Sequence, residues 1–382
     1  MVIKYMYIPQ YHLKNINKYL KPQKAIIIYG PRRCGKTTLL NEFRKKIKDK
    51  YLFVNGEDIY IQEYLSSQSI EKLRNFIGDN KILIIDEAQK IKQIGLNIKL
   101  ILDNIKDIKV IASGSSSFDL SCQVGEPLTG RKFTFKLFPI SQLELNAIQN
   151  KAETDSLLET RLIYGSYPEI ILNKDNDKNI QFLKEMVSSY LYKDILELDG
   201  IRHSDKISRI LQLLAFQIGK EVSYNELGHQ LGMSKNTVEK YCDLLEKTFI
   251  IFKLTGFSRN LRKEIIKNPR YYFYDNGIRN ALINNYNPLK IRNDIGMLWE
   301  NYIITEILKK QEYMMISANN YFWRTYDQKE IDLIIEKGGQ LLGYEIKWAK
   351  GKSKASEEWL ATYENSSFQI ITKENYIDYI CR

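Results

Sequence analysis

The feature that most constrains this chain is a glycine-bounded motif near its N-terminus. An apolar, β-branched run at residues 24–29 leads directly into GPRRCGKTT at positions 30–38, which matches G-x-x-x-x-G-K-[ST]. A helix-like stretch at 39–47 follows. In this order, the backbone N–H groups of the loop and the helix N-terminus face phosphates. The motif therefore predicts a buried parallel strand, a phosphate-binding loop and a helix in an α/β fold.

A second apolar run, at residues 81–85, ends in two acids and completes the predicted site. Asp86 suits Mg²⁺, and the adjacent Glu87 suits a general base that activates water. We expect Lys36 to reach the β- and γ-phosphates and Thr37 to bind Mg²⁺. The adjacent acid favours ATP hydrolysis over a small-molecule kinase. The predicted nucleotide-binding residues are Gly30, Pro31, Arg32, Arg33, Cys34, Gly35, Lys36, Thr37, Thr38 and Asp86.

Two further residues complete the predicted catalytic set of Glu87, Lys36, Arg131 and Ser115. A strand at 108–113 leads into a serine-rich segment, where Ser115 is the first choice for a sensor of the γ-phosphate and Ser113 the second. A plain serine-rich loop is the alternative. Arg131 follows a tight turn and suits an arginine finger from the same subunit or a neighbour. A solvated loop arginine is the alternative.

The middle of the chain reads as helical and then as a winged helix. Residues 151–203 predict a helical lid, and residues 204–285 predict three helices and a wing, with Ser234 capping the third helix. That helix would enter the major groove of DNA. A winged helix used for packing or protein contact is the alternative. The predicted nucleic-acid contacts are Lys235, Lys240, Arg262 and Lys263.

The C-terminal segment, residues 286–382, contains a predicted hairpin around Gly338 and Gly339. A two-residue turn there places Asp332 opposite Glu345 and Glu330 opposite Lys347, all on one face. The two acids would repel each other unless a divalent cation lies between them.

The spacing Asp-x12-Glu-x-Lys resembles the pattern of PD-(D/E)xK nucleases, with Glu300 as the upstream acid and Lys347 near a phosphate. The predicted metal ligands here are Glu300, Asp332 and Glu345. An inactive nuclease-like scaffold and a solvated charged face are the alternatives.

The motifs together resemble a family of bacterial and archaeal AAA-like ATPases that carry a C-terminal domain of unknown function. The resemblance rests on GPRRCGKTTLL, ILIIDEAQK, SGSSSF, YGSYPEIIL, YYFYDNGIRN, GMLWENYI and EIDLI followed by GYEIKWA, and it spans nearly the whole chain. It implies a P-loop ATPase core at 1–150, then the lid, the winged helix and a nuclease-like α/β domain.

Composition bounds the partners and the compartment. The formal net charge of +11 favours a polyanionic partner such as DNA or RNA, although Lys is abundant throughout. Four scattered cysteines without a CxxC pair, and no long apolar run, predict a cytoplasmic protein that does not enter membranes. The leading prediction is an ATPase with ATP and Mg²⁺ as cofactors that couples nucleotide state to nucleic-acid engagement, with nuclease activity as an extension. The alternative is a nucleotide-gated switch that acts on a protein partner, with the winged helix and the nuclease fold as inactive scaffolds. A homo-oligomer is a further prediction for the partners.

Overall fold

The computed structural model describes residues 7–115, 128–191, 204–258, 268–325, 329–349, 351 and 356–381. The chain divides into two compact units, the first mainly up to Ile140 and the second mainly from Ser141 onward. None of the helices in the described ranges is both long and apolar enough to cross a membrane.

The first unit is built on a parallel sheet of five strands in the order β2-β3-β4-β1-β5. Its central strands are buried along their whole length, as expected for a sheet covered by helices on both faces. The predicted α/β fold with a parallel sheet is confirmed. The strands are β1 (Ala25–Tyr29), β2 (Tyr51–Asn55), β3 (Ile82–Asp86), β4 (Lys109–Gly114) and β5 (Lys132–Lys136).

Within the described residues, five α-helices accompany this sheet. Two of them begin with a side-chain cap, from Asp58 and Ser69, which accept hydrogen bonds from backbone N–H groups of the first turn. Because the strands are parallel, the residues that follow β1, β3 and β4 meet at one edge of the sheet. The helices are α1 (His12–Tyr19), α2 (Lys36–Arg44), α3 (Ile59–Leu65), α4 (Ile70–Ile77) and α5 (Ile94–Asn104).

The second unit begins with a helical block, as the sequence predicts. Pro168 begins one of these helices at a position where its missing N–H costs nothing. The helices are α6 (Gln142–Leu145), α7 (Lys151–Ser156), α8 (Leu158–Tyr164), α9 (Pro168–Leu172) and α10 (Asn176–Glu185), followed by a π-helix (Met186–Leu191).

Three helices and two antiparallel strands follow, in the order that the winged-helix pattern predicts. Ser223 caps the second helix, and Ser234 accepts a hydrogen bond from Thr237 N at the start of the third. The elements are α11 (Ser204–Phe216), α12 (Tyr224–Leu231), α13 (Lys235–Lys247), β6 (Ile251–Gly256) and β7 (Arg270–Phe273). The winged-helix assignment itself stays a prediction.

The remaining strands extend that antiparallel pair into a six-stranded sheet with the order β11-β10-β9-β8-β6-β7. Since β6 pairs with β8, the predicted boundary at 285/286 falls between strands of one sheet. The elements are α14 (Asn276–Leu282), α15 (Ile295–Tyr313), β8 (Asn319–Arg324), β9 (Glu330–Lys337), β10 (Gln340–Ile346), α16 (Ser356–Thr362), β11 (Ser366–Ile371) and α17 (Tyr376–Cys381).

The hairpin of β9 and β10 has the predicted register. Gln340 faces Lys337 and Tyr344 faces Leu333 across the two-glycine turn, whose residues both have positive φ. The apolar side chains of β9, Ile331, Leu333 and Ile335, are buried, and the opposite face of the strand is buried as well at Asp332 and Ile334.

Candidate nucleotide site and acid cluster

The phosphate-binding loop follows β1 and is shaped by its two glycines. A Cβ on Gly30 would lie 1.8 Å from the carbonyl oxygen of Leu137, so no other residue fits there without moving the backbone. Gly35 has φ 97°, which L-residues with a side chain rarely adopt, and the helix α2 starts immediately after it. The fold thereby places a helix N-terminus at the end of β1.

Lys36 is the first residue of α2 and is 6% exposed. Its Nζ donates hydrogen bonds to the carbonyl oxygens of Gly30 and Pro31, both at 2.9 Å. The ammonium group is thus held over the loop by the loop's own backbone. Bound phosphate oxygens would compete with these two carbonyls for the same cation.

Asp86 ends β3 and connects three elements of the sheet edge. Thr37 Oγ1 donates to Asp86 Oδ2 at 2.7 Å, and Ser113 Oγ, from the end of β4, donates to Asp86 Oδ1. Asp86 and Ser113 are both buried. The structure therefore joins the two predicted Mg²⁺ ligands, Thr37 and Asp86, and adds Ser113, the second choice among the two serines.

Glu87 follows directly and has a left-handed backbone, with φ 50° and ψ 40°. This conformation is uncommon for a residue with a side chain and turns the chain sharply away from the strand. The Glu87 carboxylate accepts a hydrogen bond from Gln89 Nε2. Gln89 lies only two residues downstream, but no pattern in the sequence distinguishes it from other glutamines.

Ser115 and Arg131 lie at opposite ends of the parallel strands. Ser115 is buried just after β4, one residue beyond the strand. Arg131 precedes β5, and its carbonyl accepts from Ala25 N at the opposite end of β1 from the loop. A five-residue strand spans about 16 Å. Arg131 is therefore not brought to the phosphate-binding loop of its own chain, and it forms an ion pair with Asp103.

The other predicted nucleotide-binding residues lie in the loop and the first turn of α2. Arg33 has φ 63°, and Cys34 is fully buried among the apolar residues under α2. These remaining positions are Pro31, Arg32, Arg33, Cys34 and Thr38.

A segment upstream of β1 also contacts the loop, and no sequence signal pointed to it. Gln10 Nε2 donates to the carbonyl of Gly35 at 3.3 Å. His12 Nε2 hydrogen-bonds the carbonyl of Lys136 at 2.9 Å, and its ring stacks on Phe135. Burial lowers the pKa of His12 to about 4, so this ring is a neutral packing group. Spacing cannot reveal contacts between residues 25 positions apart.

In the second unit, Glu300 and Asp332 lie in a cluster of charged groups. Tyr272, on β7, donates its hydroxyl to Glu300 Oε1 at 2.6 Å, and Ile346 N donates to Asp332 Oδ2 at 2.7 Å. Burial, followed by repulsion from Asp332, raises the pKa of Glu300 to about 8. Burial likewise raises the pKa of Asp332 to about 7.

The cations in this cluster do not form the pair that the hairpin register suggested. The predicted Glu330–Lys347 pair is replaced by two others. Arg270 Nη2 donates to Glu330 Oε2 at 2.7 Å, and Lys347 Nζ lies 2.8 Å from Glu345 Oε1. Among the residues that the structure describes, no group of three His, Cys, Asp or Glu side chains is arranged to hold a metal ion. The predicted ligands Glu300, Asp332 and Glu345 are thus not assembled as a metal site.

The predicted nucleic-acid contacts are only partly within the described ranges. Lys235 begins α13 and is exposed, and Lys240 lies further along the same helix and is also exposed. Arg262 and Lys263 lie outside the described residues. Acidic residues of the same helix face the wing, because Lys253 on β6 pairs with Asp243 and Glu246.

The fold and this site define an AAA-like P-loop ATPase domain. Residues 22–146 match the family model described as an AAA domain. Residues 155–289 match a domain of unknown function (DUF8612), and residues 295–378 match another (DUF4143). The AAA-like ATPase part of the resemblance is confirmed, as is the presence of a C-terminal domain of unknown function.

Similar proteins span most of the chain. An uncharacterised protein of Mycobacterium tuberculosis is 23% identical over 87% of this chain and 72% of its own length. An uncharacterised protein of Methanocaldococcus jannaschii is 25% identical over 84% of this chain and 74% of its own length. A RuvB structure from Thermotoga maritima is 16% identical over 65% of this chain and 90% of its own, with a TM-score of 0.33. A score this low supports no conclusion about function.

Proposed function

We propose that the chain hydrolyses ATP at the edge of the parallel sheet where β1, β3 and β4 end. The observation that carries this proposal is the hydrogen-bonded set of Thr37, Asp86 and Ser113 beside the buried Lys36. Hydroxyl and carboxylate oxygens joined in this way are the hard ligands that suit Mg²⁺. Thr37 and Asp86 therefore fit the ion, which when bound with ATP neutralises phosphate charge.

Groups of the protein bind the phosphates, accept the proton and orient the base. Lys36 exchanges the two loop carbonyls for phosphate oxygens, and the N–H groups from Gly30 to Thr38 surround the phosphates. Glu87 accepts a proton from the attacking water as the bond between the γ-phosphorus and its bridging oxygen breaks. Gln89 orients the Glu87 carboxylate through the hydrogen bond described above. Ser115 remains the proposed sensor, with Ser113 acting through Asp86.

Arg131 is better placed to act as an arginine finger on a neighbouring copy of the chain than on its own nucleotide. It lies about one strand length from its own loop, so only a neighbouring molecule could receive it at a nucleotide. The ion pair with Asp103 would have to open first. This part of the proposal requires a homo-oligomer.

We further propose that nucleotide state is coupled to DNA or RNA engagement through the second unit. The exposed Lys235 and Lys240 in the first half of α13, together with Arg262 and Lys263, would contact phosphates. The test is ATP turnover with and without DNA and RNA. Stimulation that disappears in Lys235→Ala/Lys240→Ala supports coupling, and turnover indifferent to both polymers rejects it.

A second candidate is a nucleotide-gated switch that acts on a protein partner. The observation that favours it is that Asp332, Glu300, Glu345 and Glu330 each have a donor within the protein, which leaves the nuclease-like part as a scaffold. Mg²⁺-dependent cleavage would instead need Asp332 and Glu345 to share a cation. Nucleic-acid cleavage products in Mg²⁺ or Mn²⁺, absent from Asp332→Asn, would reject the scaffold reading.

A further inference from the structure

The acid cluster of the second unit consists of Glu300, Glu330, Asp332 and Glu345, and it contains a buried arginine. Arg270, on β7, is 4% exposed and donates to Glu330 on β9 at 2.7 Å. Its guanidinium carbon lies 4.4 Å from the ring centre of Phe322 on β8, which closes off one side of the group. Its charge also lowers the pKa of both Glu300 and Asp332 against the opposing effect of their burial. One guanidinium thus acts on three carboxyl groups.

We propose that Arg270 takes the place of a divalent cation in this cluster and uses the acids to anchor β7 to α15 and β9. The neighbouring Tyr272 supports the same anchor, since its hydroxyl binds Glu300 on α15. Arg270 and Tyr272 both belong to β7, and their side chains lie two residues apart on one face of that strand. The strand therefore supplies both the cation and a neutral donor to acids of two other elements.

The acids of the cluster are already bound by donors of the protein. Among the described residues, Glu345 Oε2 is a buried acceptor without a hydrogen-bond partner, and Arg270 Nε is a buried donor without one. Mg²⁺ is commonly held by one or two carboxylates together with several waters, so the decisive question is whether the carboxylates are free to bind it. Each of the four acids already has one oxygen bound to a protein donor, and the buried guanidinium of Arg270 would repel a divalent cation placed beside it. The residues present therefore do not fit the metal that a nuclease-like site would imply.

The test is a set of thermal melts on the nucleotide-free full-length chain in EDTA and in Mn²⁺. For the wild type we expect the two melting temperatures to agree within about 1 °C, because the acid cluster does not take up the ion and the Thr37–Asp86 site needs ATP to hold it. Arg270→Met leaves buried acids without their cation and should lower the melting temperature by roughly 6 °C or more. Mn²⁺ should recover part of that loss, because removal of the guanidinium opens a place for another cation. The melting temperature of Arg270→Lys should lie between those of the wild type and Arg270→Met.

Arg324→Met is the matched control, since Arg324 on the neighbouring β8 pairs with Glu221 but is itself 33% exposed, against 4% for Arg270. The decrease in melting temperature should be smaller for Arg324→Met than for Arg270→Met, and Mn²⁺ should not reverse it. The proposal is overturned if Mn²⁺ raises the melting temperature of the wild type by several degrees and Asp332→Asn removes that increase. Equal losses in the Arg270 and Arg324 variants, without recovery by Mn²⁺, also overturn it. If Arg270→Met does not fold, the proposal is tested by the effect of Mn²⁺ on the melting temperatures of the wild type and Asp332→Asn.

Discussion

Lys36 shows how a single residue can be in place before its ligand arrives. The ammonium group is buried and bound by two carbonyl oxygens, so its desolvation is already offset in the free protein. ATP binding then requires an exchange of partners rather than the burial of a new charge. We expect this arrangement to make the lysine essential for affinity.

Lys36→Ala should raise the dissociation constant for ATP by about 10- to 100-fold, because a hydrogen bond to a charged group contributes roughly 1.5–3 kcal/mol. A titration with fluorescent ATP measures this change. Lys45→Ala is the control, since Lys45 follows the same helix but is exposed and pairs with Glu42. If Lys36→Ala binds ATP as tightly as the wild type does, the phosphate-binding role is wrong.

Glu87→Gln should leave ATP affinity within a few-fold of the wild type while lowering turnover by about 10²- to 10⁴-fold. The amide keeps the shape of the side chain but cannot accept a proton from water. Single-turnover phosphate release measures the rate, and equilibrium binding measures affinity. Glu63→Gln, at an exposed acid on α3, is the control. Near wild-type turnover in Glu87→Gln would mean that another group is the base.

At the scale of elements, the sequence predicts strands and helices well where one pattern dominates. The run before Gly30 and the run before Asp86 form β1 and β3, since buried parallel strands need continuous apolar residues. The turn at Gly338 and Gly339 fixes the β9–β10 register, because two-residue hairpins tolerate few alternatives. Local chemistry is sufficient for these features.

Long-range pairings could not be predicted in the same way. The contact of Gln10 with Gly35 and the pairing of Arg270 with Glu330 join residues far apart in sequence. Nothing in the spacing of these residues carries that information, and a plausible local pair, Glu330 with Lys347, competed with the observed one. The distance of Arg131 from its own loop likewise depends on which strands are neighbours.

The lysines of α13 lead to a prediction about how DNA binding depends on salt concentration. The double variant Lys235→Ala/Lys240→Ala should weaken DNA binding and make the slope of log K against log salt shallower by about 1.8, since each phosphate contact contributes about 0.9. Binding isotherms across a range of salt concentrations measure the slope. Lys151→Ala/Lys178→Ala, on helices outside the winged-helix segment, is the control. An unchanged slope in the α13 variant would exclude these lysines from the DNA contact.

For the whole molecule, the raised pKa values predict how stability depends on pH. Glu300, with a pKa of about 8, and Asp332, with a pKa of about 7, hold protons in the folded state that the unfolded chain releases near pH 4. The folded state therefore binds more protons, and the free energy of unfolding should fall as pH rises from about 5 to 8. Urea denaturation at several pH values measures it.

Glu300→Gln should flatten this decline, because the amide does not titrate. Glu336→Gln, an acid at the outer end of β9, is the control and should keep the wild-type slope. A slope that is the same in the wild type and in Glu300→Gln would mean that Glu300 is ionised in the folded protein at neutral pH.

The parallel pairing of β6 with β8 has a consequence for how this chain can be divided. Thr255 and Gly256 share backbone hydrogen bonds with Tyr321 and Phe322, so a cut near residue 285 separates strands that form one sheet. Each fragment would then present a bare strand edge, which is a template for association with other chains. Exchange of the last hundred residues between relatives would meet the same obstacle. The strands of the C-terminal third therefore complete a sheet that β6 and β7 begin, and a division of the chain that keeps this sheet whole would have to lie before β6.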